Sequence, residues 1–212
     1  MYVKTRMTAN PFTVTPETTL PQALEVMRTN KVRHLPVVEG TRVVGVVSNG
    51  DLAKAGPSAA TSLSASELTY LLSKLKIASI MSKSPITISP DALLEEAAVL
   101  MRDHKIEMLP VVKDDRLVGI ITESTILDAF IELLGFRETG TRLTIDATDA
   151  PGVLARLATI TARHDASIQH LAVYRGQGTS TVVFGVNTTN TTALEDDLKS
   201  DGFTVLAKLV NP

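Results

Sequence analysis

Two polar side chains with the spacing of a small-molecule site follow an apolar run in the first quarter of the chain. Residues 45–51 read GVVSNGD, so Ser48 and Asp51 stand three positions apart where a helix is expected to start. A carboxylate can accept two hydrogen bonds from hydroxyl groups, and a hydroxyl beside a helix N-terminus adds to exposed backbone N–H groups that favour anions. An Asp in this position can instead cap the helix, so both a ligand-binding and a structural interpretation stay open.

A second pair of candidate binding residues precedes the apolar stretch LPVV at residues 35–38. Arg33 can form paired hydrogen bonds with a phosphate group, although an exposed Arg on a strand can also simply be solvated. His34 either contacts phosphate or packs as a hydrogen-bonded histidine. Both residue types favour an anionic ligand.

The residues that usually support catalysis are not arranged for it. The four histidines lack the i, i+4 spacing of a metal-binding helix, and no GxxxxGK phosphate loop is present. Acidic clusters such as Glu95-Glu96 and Asp114-Asp115 fit solvated helix faces or turns. Ser48 has no sequence-visible base to activate it. We therefore expect no catalytic residue, no metal site and no enzyme.

The composition of the 212 residues excludes further classes of protein. The absence of Cys excludes disulfides, thiolate metal sites and Cys nucleophiles. An aromatic content of 4% argues against base-stacking platforms, and a net charge of −2 gives no basic surplus for nucleic acid. No apolar stretch approaches the roughly 20 residues that span a bilayer, and the start lacks the apolar core of a signal peptide. These features predict a cytoplasmic protein without nucleic-acid or membrane partners.

An internal repeat organises the first part of the chain. Residues 7–52 align with residues 81–126 without a gap, and 16 of the 46 positions are identical. Each copy contains a Met-x-x-x-Pro start, the stretch LPVV and a short apolar run with Gly. A repeat at a fixed offset indicates a duplicated structural unit.

Within a copy, the pattern predicts the order strand, helix, strand, strand, helix. Residues 12–14 alternate as a first strand, and the spacing of Leu20, Ala23, Leu24 and Met27 is that of a helix packed on a core. Residues 35–38 and 42–47 form a hairpin around Gly40. A unit of this size cannot bury its apolar face alone, so the copies should pair about a pseudo-twofold axis and leave two related clefts between them. A turn-rich linker at 56–62 and a helix that begins with a Ser64 and Glu67 capping box separate the copies.

The third segment is unrelated to the repeat. Residues 142–147, 168–174, 181–186 and 204–210 read as strands, with helices after the first and third of them. The resulting βαββαβ order predicts a small domain with helices on one face of an antiparallel sheet.

These motifs carry a resemblance to known families. The duplicated unit, with its hydrophobic-Pro-Val-Val strand and its Gly-x-x-Ser-x-x-Asp ending, resembles a tandem pair of CBS domains, also called a Bateman module. The C-terminal segment, with DAPGVL at residues 149–154 after its first strand, resembles an ACT domain. The order CBS–CBS–ACT is similar to that of the AcuB-type acetoin-utilisation proteins. The expected fold class is α+β: CBS repeat 1 at 1–56, linker and helix at 57–75, CBS repeat 2 at 76–136, and a ferredoxin-like ACT domain at 140–212.

The resemblance implies that a cleft between the repeats binds AMP, ADP, ATP or S-adenosylmethionine as a regulatory ligand, with no other cofactor. It implies that Asp51 holds the ribose hydroxyls and that Ser48 touches phosphate. The predicted nucleotide-binding residues come from both copies: Thr13, Arg33, His34, Val47, Ser48, Asp51, Ser84, Ile86, Thr87 and Thr122. With so few aromatic residues, we expect aliphatic walls such as Ile86, Val46 and Val47 to hold the adenine.

The second copy departs from the binding pattern. It keeps a hydroxyl at Thr122 but has Thr125 in place of Asp51, and Glu107 replaces Arg33. A Glu repels phosphate where an Arg binds it. Residues 1–52 carry six Lys or Arg against four Asp or Glu, whereas residues 76–127 carry six against eight. We therefore expect the site built on Ser48 and Asp51, closed by residues 84–87, to be the competent one, while the other is empty or takes a ligand with less phosphate.

The ACT resemblance implies an amino-acid site at Asp149 and Gly152, where a strand turns into a helix with free backbone N–H groups. The family often has Asn-Gly after the first helix, but residues 164–167 read HDAS, so a dimerisation or docking role is an equal alternative. The predicted function is a non-catalytic sensor, a homodimer that passes a nucleotide signal through the ACT domain or to a regulated enzyme or transporter. The alternative is a structural interaction module whose clefts are vestigial.

Overall fold

The computed structural model describes residues 1–56, 64–176 and 178–212. The predicted linker therefore lies outside the described residues, apart from Gly56. The chain forms two compact units, Met1–Ile126 and Leu127–Pro212. The division falls where the alignment of the two copies ends, inside the helix Glu123–Leu133.

Both copies in the first unit have the predicted order of elements. The first copy contains β1 (Thr8–Ala9), α1 (Leu20–Asn30), β2 (His34–Glu39), β3 (Arg42–Ser48) and α2 (Asn49–Ala55). A helix between the copies, α3, spans Ala65–Lys74. The second copy contains β4 (Ser82–Lys83), α4 (Leu94–His104), β5 (Met108–Lys113), β6 (Arg116–Thr122) and α5 (Glu123–Leu133).

The first strand of each copy pairs with the sheet of the other copy. In β1, Thr8 pairs with Ile120 of β6, and in β4, Ser82 pairs with Val46 of β3. Each three-stranded sheet therefore combines a hairpin from one copy with a short strand from its mate, in the orders β1-β6-β5 and β2-β3-β4. This reciprocal exchange agrees with the predicted pairing of the copies about a pseudo-twofold axis.

The first strand does not lie where alternation predicted it. Of residues 12–14, only Val14 forms a bridge, to Val37, while the strand itself lies at residues 8–9. Pro11 has no N–H group to donate to a ladder. Val14 instead forms two backbone hydrogen bonds with β2. Its N–H group donates to the carbonyl of Pro36, and its carbonyl accepts from the N–H group of Val38.

The exchanged strands explain why Met and Gly recur at equivalent positions of the two copies. A Cβ atom added to Gly45 would lie 2.5 Å from Met81 Sδ, and one added to Gly119 would lie 2.7 Å from Met7 Sδ. The Met that opens each copy therefore packs against the Gly of the opposite hairpin. Both positions are constrained because two chain segments approach closely there.

The helices form for the reasons that the sequence indicates. In α1, Leu20, Ala23 and Met27 are buried, and Leu94, Ala97 and Met101 repeat this stripe in α4. Leu24, predicted to share the stripe, is 37% exposed. The predicted capping box at the start of α3 is present, since the Ser64 N–H group donates to Glu67 Oε2 at 2.9 Å.

The second unit has the predicted ferredoxin-like architecture. Its elements are β7 (Gly140–Thr148), α6 (Val153–Arg163), β8 (Ile168–Arg175), β9 (Thr179–Val186), α7 (Thr192–Ser200) and β10 (Thr204–Asn211). The strands form an antiparallel sheet in the order β10-β7-β9-β8. One face of the sheet buries its side chains under the helices; this core includes Leu143, Ile145, Val182, Phe184, Leu157, Ile160, Leu194 and Leu198. In the predicted turn at 175–178, Gln177 lies outside the described residues.

Within the described parts of the chain, none of the helices combines the length and apolar character that a membrane span requires.

Candidate functional site

A cleft of about 650 Å³ lies between the two copies of the first unit. Small-molecule sites typically measure about 300–1,000 Å³. Each of the two copies supplies about half of the residues that line it. From the first copy come Arg33, His34, Val46, Ser48, Asn49, Gly50, Asp51 and Lys54, and from the second come Ser82, Ser84, Pro85, Ile86, Lys105, Ile106, Glu107 and Met108.

The cleft brings together six of the predicted binding residues. They are Arg33, His34, Ser48, Asp51, Ser84 and Ile86. The segment that contains Ser84 reaches the first copy because β4 immediately precedes it and pairs with β3. The exchanged strand therefore positions this wall of the cleft.

Val47 lies elsewhere, and its predicted place in the site needs correction. Its side chain is fully buried in the core of the first copy, whereas the neighbouring Val46 lines the cleft. Successive side chains of a strand point to opposite faces, so only one of these two valines can face the ligand.

Three predicted threonines also lie outside the lining of this cleft. Thr13 and Thr87 are exposed, each one position before a buried residue, Val14 and Ile88. Thr122 is the last residue of β6, immediately before α5, and its hydroxyl lies 3.0 Å from that of Thr125 and accepts a hydrogen bond from the Thr125 N–H group. It therefore occupies the symmetry-related position in the second copy.

Ser48 and Asp51 cap α2 and line the cleft at the same time. The N–H group and the hydroxyl of Ser48 donate to Asp51 Oδ2 at 2.8 and 2.7 Å, and the Asp51 N–H group donates to Ser48 Oγ at 3.1 Å. All the carboxylate bonds of this capping box use Oδ2, so Oδ1 is not engaged in it. The structure confirms the capping interpretation of Asp51, and the cap holds the carboxylate beside the cleft.

Two cationic residues of the cleft were not predicted from the sequence. Lys54 lies one helical turn after Asp51, and Lys105 follows the end of α4 in a left-handed backbone conformation with φ 54°. Helical spacing from Asp51 could have identified Lys54. Lys105 is identical to Lys31 in the repeat alignment, which was the available signal for it. Together with Arg33 they give the cleft three positively charged side chains.

His34 joins the two copies across the cleft. Its Nε2 atom lies 3.3 Å from Glu107 Oε2, and its side chain is only 13% exposed. Burial lowers the pKa of His34 below its ordinary 6.5, and the nearby Glu107 carboxylate opposes this shift. His34 therefore packs as a hydrogen-bonded histidine while it also lines the cleft.

Comparison with protein families decides what the duplicated unit is. A family model described as "CBS domain" matches twice, over residues 3–58 and 77–132. The chain belongs to the CBS-domain family. Each match covers one copy of the repeat, so the first unit is a CBS pair.

Relatives of known sequence share this CBS pair. The chain is 35% identical over 134 residues to a CBS domain-containing protein of Dictyostelium discoideum, a match that covers 62% of this chain and 92% of that protein. It is 28% identical over 166 residues to the inosine-5'-monophosphate dehydrogenase of Korarchaeum cryptofilum, covering 78% of this chain but only 32% of the enzyme.

Solved structures resemble the CBS pair as well. An acetoin utilization protein (AcuB) from Vibrio cholerae is 34% identical with a TM-score of 0.53, and the match covers 65% of this chain and 96% of that one. CBSX2 in complex with AMP is 33% identical with a TM-score of 0.51, covering 62% and 96% of the two chains. A CBS domain pair in complex with 5'-methylthioadenosine and S-adenosylmethionine is 27% identical with a TM-score of 0.51, covering 61% and 99%.

The second unit places Asp149 and Gly152 in the turn between β7 and α6, as predicted. Both are exposed, and Gly152 precedes the helix with φ 87° and no side-chain cap. Asp149 Oδ2 lies 3.6 Å from Arg175 Nε. The turn therefore offers backbone N–H groups at the start of α6, beside a carboxylate that already faces a cation.

Proposed function

We propose that this CBS pair is a non-catalytic regulatory module that binds an adenosine-containing ligand in the cleft between its copies. The observation that carries the proposal is the convergence of Arg33, Ser48 and Asp51 from one copy with Ser84 and Ile86 from the other around one cleft of about 650 Å³. The complexes of CBSX2 with AMP, and of another CBS pair with S-adenosylmethionine, support this ligand class.

The side chains of the cleft suit the parts of such a ligand. Asp51 accepts hydrogen bonds from the ribose hydroxyls, and Val46, Pro85 and Ile86 give the adenine an apolar, non-aromatic pocket. Arg33, Lys54 and Lys105 provide positive charge for a phosphate group, and the guanidinium adds a planar pair of donors. Because these groups come from both copies, an occupied cleft couples the two copies.

The test measures ligand binding by calorimetry and by thermal shift with adenosine, AMP, ADP, ATP and S-adenosylmethionine. A ligand present at about 100 times its dissociation constant stabilises the native state by about 2.7 kcal/mol. Asp51→Asn keeps an oxygen that can accept the capping bonds but loses the charge, so it should weaken binding by tenfold or more. Asp115→Asn makes the same change at an exposed hairpin turn with φ 58°, where Asn is well tolerated, and should leave binding unchanged.

Two outcomes would contradict the proposal. If none of the adenosine compounds binds to the intact chain, the sensor function is wrong. If a compound binds equally well to Asp51→Asn, the ligand occupies another site. Turnover of ATP by the purified protein would instead indicate an enzyme.

A second candidate function is a structural interaction module with vestigial clefts. The second copy favours it, since Thr125 replaces the ribose-binding Asp51 and Glu107 replaces Arg33. A homodimer is part of both candidates. Exposed apolar side chains along α5 support it, with Leu127, Phe130 and Leu133 each more than half exposed. Sedimentation velocity of the full chain tests it, and a monomer at all concentrations would refute it.

The finer parts of the regulatory function are proposals too. The match to AcuB supports a role in acetoin or related carbon metabolism. The βαββαβ order of the second unit supports an ACT domain, with an amino acid bound at Asp149 and Gly152. Signal transfer through this unit, or to an enzyme or transporter, completes the proposal. Thermal-shift scans with amino acids test the second site.

A further inference from the structure

One wall of the cleft carries a negative charge where a phosphate-binding site would have none. Glu107 lines the cleft immediately before β5, and its Oε2 atom lies 3.3 Å from His34 Nε2. In the repeat alignment Glu107 takes the place of Arg33, so the two copies contribute opposite charges at equivalent positions. The Glu107 side chain is 60% exposed, whereas His34 is largely covered.

We propose that Glu107 is a specificity-determining residue, whose carboxylate competes with the ligand's phosphate groups for the cationic part of the cleft. This inference rests on the proposed function, because it concerns the same adenosine-binding cleft. The Glu107 carboxylate lies beside His34, at a position where it meets any anionic group that binds there. A phosphate group that binds beside His34 must displace the Glu107 carboxylate or lie close to its negative charge.

The charges that line the cleft determine how Glu107 affects ligands with different numbers of phosphate groups. The fixed cations are Arg33, Lys54 and Lys105, and the fixed anions are Asp51 and Glu107. With a neutral His34, the cleft carries one net positive charge. A monophosphate carries about two negative charges at neutral pH, and each further phosphate adds charge that Glu107 opposes. Glu107 therefore reduces the affinity that each further phosphate group would otherwise add, and the reduction is larger for ADP and ATP than for AMP.

The backbone and the side chain of Glu107 have separate roles, so the side chain can be changed alone. The carbonyl of Glu107 accepts a hydrogen bond from the Glu123 N–H group at 3.1 Å, just as the carbonyl of Arg33 accepts one from Asn49 at 2.8 Å. These bonds tie each hairpin to the start of its following helix. Gln at position 107 keeps the backbone hydrogen bond and the size of the side chain, and it replaces the charged carboxylate with a neutral amide.

The experiment compares the affinities of the full chain and of Glu107→Gln for adenosine, AMP, ADP and ATP by calorimetry. A unit charge about 4 Å away in a water-like dielectric changes affinity about fivefold for each charge that it opposes. We expect Glu107→Gln to bind adenosine within about twofold of the parent chain and AMP at least about fivefold more tightly. The gain should be larger for ATP, so the ratio of ATP to AMP affinity rises.

Asp103→Asn is the matched control, since this exposed carboxylate of the second copy pairs with Arg102 and does not line the cleft. It should leave every affinity unchanged. Glu107→Ala tests whether charge or the amide group causes the effect, and it should change the ratio in the same direction.

The results separate this inference from the function on which it rests. If the parent chain binds adenosine compounds but Glu107→Gln leaves the ATP to AMP ratio unchanged, Glu107 is not a specificity residue and the cleft function stands. An equal gain for adenosine would also overturn the inference, because adenosine carries no phosphate. If the parent chain binds none of the four compounds, the cleft function fails and the inference fails with it.

Discussion

The close approach of the exchanged strand to Gly119 makes a defined prediction about stability. In Gly119→Ala the new Cβ atom would lie 2.7 Å from Met7 Sδ and 2.9 Å from the backbone carbonyl oxygen of Thr8. Met is flexible and can move away, but the Thr8 carbonyl belongs to β1, whose Ala9 pairs with Gly119 itself. The substitution therefore has to shift the backbone of β1 or β6.

The expected cost is that of overpacking a close-packed interior, about 1–3 kcal/mol. Urea unfolding followed by circular dichroism measures this loss. Hydrogen exchange of the amides at residues 8, 9 and 119 shows whether it is localised at the exchanged strand. Gly50→Ala is the control, because its Cβ atom would meet nothing closer than Ser48 Oγ at 3.6 Å inside α2. A helical Gly to Ala change of this kind is neutral or stabilises by up to about 1 kcal/mol.

A double-mutant cycle with Met7→Ala separates the two close contacts. Removal of the Met7 side chain should recover only part of the loss, since the Thr8 carbonyl stays in place. Full recovery would show that the sulfur atom alone causes the effect. A Gly119→Ala protein as stable as its parent would refute the reasoning about the close approach.

Two further predictions concern the residues at the edge of the cleft. Ser48→Ala removes the hydroxyl that caps α2, so the free energy of unfolding should fall by about 0.5–2 kcal/mol, and unchanged urea unfolding would contradict the capping role. Burial lowers the pKa of His34 in the folded state below its ordinary 6.5, so the unfolded chain binds more protons just below that pH. The native state should therefore lose stability through this group as the pH falls from 6.5. His34→Gln should reduce the stability difference between pH 7.5 and 5.5, and an identical difference in both proteins would exclude His34 as the source.

The helices and strands whose apolar residues recur with a clear period were predictable from the sequence. The stripes of α1 and α4 and the alternating strands of the second unit lie where apolar spacing placed them, because these patterns reflect burial on one face. Strand exchange was not predictable, since β1 and β4 have only two residues each and carry no alternation. Their bonds depend on partners more than 30 residues away in the chain, which a local pattern does not encode.

The residues of the candidate site show the same distinction. Ser48 and Asp51 could be found because their spacing is local, and the cap that joins them is local too. Val47 was misplaced because residues 43, 44, 46 and 47 are all Val, so period 2 does not show which of them face the core. Lys105 reaches the cleft only through the fold of the second copy.

The pairing of β4 with β3 limits how the cleft can respond to a ligand. Both walls that enclose the candidate site are attached to one sheet, since β3 ends at Ser48 and β4 leads directly into Ser84. A wide separation of the two copies would break the hydrogen bonds of the exchanged strands β1 and β4. We therefore expect a ligand bound in this cleft to cause only small sliding or twisting displacements of the two copies, so that a probe of the motion detects ångström-scale changes and no wide opening.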